Sequence, residues 1–242
     1  MDDYTIWINF YSELANKLLK YNNDRTTLIN IVKKVMTESN MKMIEFADCD
    51  GTADIDPFSI FALFNREIND AKRITILSNF KSELKLSNDT PTYFGGIPVV
   101  SNLKPVFFSK KSTTIKEDIE RLWKLFSLAI AYSDNLGNNE VDFSNEYNQA
   151  IKQPQVKWNL TMGLYWIRPY TFINLDSRNR QYIIENQQYA DAFLDGNVQL
   201  LNDIPDATGY LRICSRGKKW FADNTTEFDN FPSFSNDACA GF

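Results

Sequence analysis

The chain contains no histidine. That removes Ser-His-Asp and Cys-His constellations, every histidine-bearing zinc site, and the side chain that most often moves protons near neutral pH. Catalysis would have to run on carboxylates, lysine, tyrosine or a magnesium ion held by acids. Cysteine is scarce: Cys49, Cys214 and Cys239 are odd in number, far apart and in no CxxC pair. They form neither a disulfide framework nor a zinc knuckle and read as reduced thiols. No window approaches the roughly 20 apolar residues needed to cross a bilayer, so no membrane partner is expected. The opening residues MDDYTIW lack the basic-then-apolar pattern of a signal peptide, and a cytoplasmic location is expected. No GxxxxGK[ST] phosphate loop occurs, and no cofactor is implied.

What is present is a globular composition. Of 242 residues, 43% are hydrophobic and 14% aromatic, enough for one large domain or two closely packed subdomains. Apolar spacing predicts helices over residues 4–21, 24–35, 57–68, 70–84 and 114–132. Further helices are expected over 144–152, 158–164, 177–186 and 205–221. Asp24, Asp56 and Asp70 stand where N-caps belong, with Pro57 at the first position of its helix. Short strands are expected at 41–47, 97–100 and 106–108, an extended element at 170–175, and an irregular tail after residue 221. The fold class is therefore α+β, mainly helical with a few short strands. A hinge at 134–139 would separate a subdomain over 1–134 from one over 140–232, with 233–242 as a tail.

Three short acidic patterns bear on chemistry. MIEFADCDGT is an apolar strand followed by DxDGT, the form of the first motif of haloacid-dehalogenase phosphatases, in which Asp48 would attack phosphorus and Asp50 would handle the leaving-group proton. Ser101 would serve as a second motif. Against this, Glu45 interrupts the strand and no later GDxxxD-type pair completes a magnesium site. A turn is the stronger reading, with Asp48 and Asp50 kept as runner-up catalytic residues. The same acids fail the calcium-loop spacing, because Gly51 comes too early. Glu83-Leu84-Lys85 is a common charged-helix triplet.

The clearest anomaly lies between residues 151 and 180, where five basic residues face one acid in a chain of net charge −5. Here WNLTMGLYWIRPYTFINLDSRNRQYI interleaves aromatics with basic side chains, a composition suited to phosphates and base faces. Asp176 or Ser177 caps a helix whose first turn carries Arg178 and Arg180. Cations there oppose the helix dipole, so each needs a counter-charge, either an internal carboxylate or a ligand phosphate. A second basic cluster, Arg212, Arg216, Lys218 and Lys219, reads equally as a phosphate contact or as a helix end.

KWNLTMGLYWIRPYTFINLDSRNRQYI resembles a block in the N-terminal regions of McrB-like AAA+ proteins of bacterial modification-dependent (type IV) restriction systems. DIDPFSIFALFNREINDAKRITIL, FGGIPVVSNLKPVFF and DIERLWKLF resemble the same proteins in the same order. The likeness implies a non-catalytic DNA-binding module that reads a modified base, with an AAA+ motor and a nuclease subunit as partners and nucleotide hydrolysis in the motor. Lys157, Arg168, Arg178 and Arg180 would contact phosphates, and Trp166 and Tyr170 would stack on a base taken out of the helix. Gln181 departs from the resemblance, which leads one to expect an aromatic residue there. The alternatives are a magnesium-dependent phosphatase or nuclease at Asp48 and Asp50, and a protein-interaction or assembly domain.

Overall fold

A computed structural model of the chain describes residues 4–103, 105–109, 112–136, 139–223 and 228–240. Among these are eleven α-helices and one two-stranded hairpin, so the fold is α+β and mainly helical. Helix α1 (Tyr4–Leu18) buries Trp7, Phe10, Tyr11, Leu14 and Leu18 along one stripe, then tightens into a 3-10 turn at Leu19–Tyr21. Asp24 caps α2 (Arg25–Glu38) by accepting from the Thr27 amide. The expected strand at 41–47 is displaced: β1 (Ala47–Cys49) and β2 (Thr52–Asp54) pair antiparallel, Cys49 opposite Thr52. Asp50 at φ 55° and Gly51 at φ 81° make the left-handed turn between them, the Asp-Gly chemistry of a two-residue hairpin.

Helix α3 (Pro57–Ala62) is buried along its whole length. Its N-cap, Asp56, accepts from the Ser59 amide at 2.9 Å and from the Ser59 hydroxyl, which itself accepts from the Phe107 amide at 2.8 Å. Burial pushes the Asp56 carboxyl from 3.8 up to about 6, against the Ser59 hydrogen bonds that hold it down. A carboxyl with a raised folded pKa holds its proton more tightly in the folded state. Its stabilising contribution is therefore full below pH ~4 and is lost as pH rises through about 6. Between pH 4 and 7, urea unfolding of the native chain should lose on the order of 2–3 kcal/mol relative to Asp56→Asn. Parallel pH profiles for the two proteins would refute this.

Asn69, one residue before the expected Asp70, caps α4 (Asp70–Leu84), leaving Asp70 as a first-turn acid favourable to the helix dipole. Helices α5 (Ile115–Ser133) and α6 (Glu140–Ala150) pack together, and α7 (Lys157–Ile167) packs on α1, α3 and α5. Every residue of α7 from Leu160 to Ile167 is buried, so it is apolar all round as an interior helix must be. Gly163 permits this: a β-carbon there would lie 2.6 Å from the Phe58 ring.

Residues 170–175 are not a strand. The Thr171 and Phe172 amides turn back onto the Arg168 carbonyl, and Phe172, Ile173, Asn174 and Leu175 are buried in succession, without alternation. The chain continues through α8 (Ser177–Glu185), α9 (Gln187–Leu194), a 3-10 turn at Val198–Leu201, α10 (Ala207–Asp223) and α11 (Phe231–Ala240). Helix α11 replaces part of the irregular tail, because Phe231 and Phe234 enter an aromatic cluster with Phe193 and Phe221. Residues 97–100 contribute only a parallel bridge from Val100 to Arg66, and 106–108 are irregular. Buried hydrophobics from both sides of residue 134 join one cluster running from Trp7 to Phe234.

Candidate functional site

The six residues expected to touch nucleic acid separate into an interior set and a surface set. Arg168 is buried. Its Nε and Nη2 each donate to one oxygen of Asp134 at 2.7 Å, Nη2 also to Asn16 Oδ1 at 2.7 Å, and Nη1 to the Ile167 carbonyl at 2.8 Å. Trp166 is fully buried, with Nε1 donating to the Pro98 carbonyl at 3.0 Å. Neither can reach a ligand; both belong to the packing. This corrects the expectation for these two residues: the basic and aromatic richness of the segment is partly an interior ion pair and core. Tyr170 is half-exposed, in a different hollow with Tyr132, Thr171 and Lys218.

The remaining residues meet. Arg178 and Arg180, in the first turn of α8, line a cleft of about 390 Å³ with Trp158, Asp176, Cys239 and the 97–101 segment. Lys157 is exposed beside Trp158 at the start of α7. Asp176 caps α8 by accepting from the Asn179 amide at 2.9 Å. Buried Asn179 fixes the helix by donating to the Asn174 carbonyl and to Ser235 Oγ of α11, each at 2.8 Å. The Arg180 guanidinium lies 3.9 Å over the Trp158 ring and donates to the Leu175 carbonyl at 2.6 Å. Partial burial pulls its pKa down, and the Asp176 charge opposes this. Arg178 is exposed, with Nη1 3.9 Å from Cys239 Sγ. Burial pushes that thiol up while Arg178 pulls it back.

Among the described residues neither Arg178 nor Arg180 has an ion pair, whereas other surface arginines do. Arg25 pairs with Asp54 and Arg121 with Glu146, each at 2.9 Å. In the second basic cluster Arg212 and Arg216 share Asp195, and Arg216 also donates to the Asp191 and Ala192 carbonyls at the end of α9. Two acids, Glu67 and Asp176, sit in the α8 cleft as well. With Arg178 and Arg180 they leave the charged lining balanced, two cations against two carboxylates.

Asp48 and Asp50 lie in the hairpin. Asp48 Oδ1 accepts from the Gly51 amide at 2.7 Å, and Asp50 occupies the turn itself. A phosphatase first motif ends a strand of a buried parallel sheet, which the three-residue antiparallel β1 is not. The Asp48 carboxylate and the Asp50 backbone serve the turn. Among the described residues, no group of three or more acidic or cysteine side chains is placed to hold a metal ion. The three cysteines are free thiols.

Residues 7–238 match the model of a family described as a domain of unknown function, DUF8425. The chain belongs to that family. No curated protein and no solved structure matches. Among the described residues no helix is long and apolar enough to cross a membrane.

Sequence reasoning missed two residues of this DUF8425 chain, each lining a different cleft. Trp158 meets Arg180 across 22 positions, a pairing that no local periodicity encodes. Arg66 had a visible signal: it stands two positions after FSIFALF, a run that only Ser59 keeps from being wholly apolar.

Proposed function

We propose that this chain is a non-catalytic DNA-binding specificity module of a McrB-like restriction system, with modified bases among its targets. The observation that carries the reading is the pair Arg178 and Arg180, which line a cleft and, among the described residues, form no ion pair within 4 Å, while Arg25 and Arg121 are paired. In this reading Arg178, Arg180 and Lys157 contact phosphates, and Trp158, already under a guanidinium, offers an edge to a base. Tyr170 is peripheral to it. The resemblance of the sequence blocks to McrB-like proteins supports the same assignment and implies an AAA+ motor and a nuclease subunit as partners.

The test is a titration of unmodified, cytosine-modified and adenine-modified duplexes at stated salt concentrations. Binding to at least one, weakening linearly in log affinity against log salt, is expected. Failure to bind any of the three at low salt would overturn the proposal.

A further inference from the structure

Four backbone and side-chain hydrogen bonds hold residues 65–67 beside residues 100–102: Val100 N–H to the Asn65 carbonyl at 2.9 Å, Glu67 N–H to the Val100 carbonyl at 3.3 Å, and two from Asn102 to Glu67. This bridge places Arg66 in the wall of a cleft of about 570 Å³, separate from the α8 cleft. Ile44, Leu103, Val106 and Phe108 supply apolar wall, and Leu103 is 90% exposed. Lys42 and Glu45 also line it.

Arg66 is 6% exposed, yet its Nε has no hydrogen-bond partner, and among the described residues its guanidinium has no ion pair. The other buried arginines are satisfied. Arg73 donates Nε to the Phe64 carbonyl at 2.8 Å, reaches Asp70 at 3.7 Å and lies over Phe94, and Arg168 chelates Asp134. Burial lowers the Arg66 pKa, and among the described residues no charged neighbour opposes it. A guanidinium stays charged in a protein, so a buried one without a counter-charge is costly and does not neutralise itself.

We propose that the cleft over Arg66 binds an organic anion, with a carboxylate or phosphate head on the guanidinium and an apolar body against Ile44, Val106 and Phe108. The guanidinium fork matches either head, and the cleft has the volume of small-molecule sites. A neutral ligand of the same shape leaves the guanidinium without a counter-charge. The proposal is independent of the DNA reading.

The experiment is calorimetric titration of the purified chain with octanoate, octyl phosphate, 1-octanol and inorganic phosphate, alongside thermal unfolding. Saturable binding of octanoate or octyl phosphate is expected, the stronger of the two identifying the head. 1-Octanol and inorganic phosphate should each bind at least about tenfold more weakly. Arg66→Met should lose about tenfold or more in affinity for the octyl anions. Unliganded, it should unfold at the same or a higher temperature than the native chain, because it replaces an uncompensated buried charge with an apolar chain of similar length. No binding of either octyl anion, or equal binding of 1-octanol or inorganic phosphate, overturns the proposal. So does an Arg66→Met variant that binds unchanged, is less stable or fails to fold, since the last two outcomes would mean the guanidinium is stabilised within the protein.

Discussion

Arg168→Ala should destabilise the protein by about 3 kcal/mol, at the lower end of the range for breaking a buried charge pair. Its guanidinium is a three-way tie: Asp134 caps the end of α5, Asn16 lies on α1, and the Ile167 carbonyl ends α7. Truncation frees the Ile167 carbonyl and Asn16 from their donor and leaves Asp134 without its partner. The Asp134 side chain is 36% exposed, so water takes up part of its charge and keeps the loss from the upper end of the range. Arg168→Lys should recover little, because a compact ammonium cannot chelate both carboxylate oxygens and reach Asn16. Urea unfolding decides this; a change within about 0.5 kcal/mol, the range of ordinary surface substitutions, would contradict the assignment.

Trp166→Ala should cost about 3–5 kcal/mol, the usual loss for a large aromatic removed from a core. The ring is fully buried, packs edge-on to Phe107 at 6.0 Å between centroids, and its N–H satisfies the Pro98 carbonyl. Trp166→Phe separates the contributions: it retains most of the packing and leaves the carbonyl unpaired, so a smaller loss of about 1–3 kcal/mol is expected. In both Trp166 variants and in Arg168→Ala, the fraction that remains folded should bind DNA as the native chain does. Loss of DNA affinity at unchanged stability would return these residues to the surface account.

The parts of the fold that were legible are those whose signals are local. Helices α1, α2 and α5 declare themselves by apolar residues three and four apart, and Asp24, Asp56 and Asp176 by standing just before a helix. Helix α11 was not legible, because FPSFSNDACA is poor in helix formers; burial of Phe231 and Phe234 against Phe193 and Phe221 overrides its propensity. Residues 170–175 misled for the opposite reason. Tyr170 and Phe172 alternate by chance in a turn that Arg168 organises through its carbonyl.

The same distinction governs the candidate site. That Arg178 and Arg180 oppose the α8 dipole was readable from the position of Asp176 alone. That Arg168 is neutralised was not, because its partner lies 34 positions away at the end of another helix. Charge counted along a sequence window treated these three arginines alike, and tertiary structure divides them. Within the basic stretch the candidate surface narrows to Lys157, Arg178 and Arg180 around Trp158.

The most direct measurement is fluorescence anisotropy of a labelled duplex, titrated at several salt concentrations with the native chain and with Arg178→Ala combined with Arg180→Ala. Neither side chain belongs to the hydrophobic core, so the double variant should keep the native circular dichroism, with an unfolding temperature lowered only by the loss of the Arg180 contacts to Trp158 and the Leu175 carbonyl. It should bind at least about tenfold more weakly, and its log affinity against log salt should be shallower by about 2, one phosphate contact per arginine. A folded double variant with native affinity and native salt slope would contradict the claim that this cleft is the DNA-binding surface.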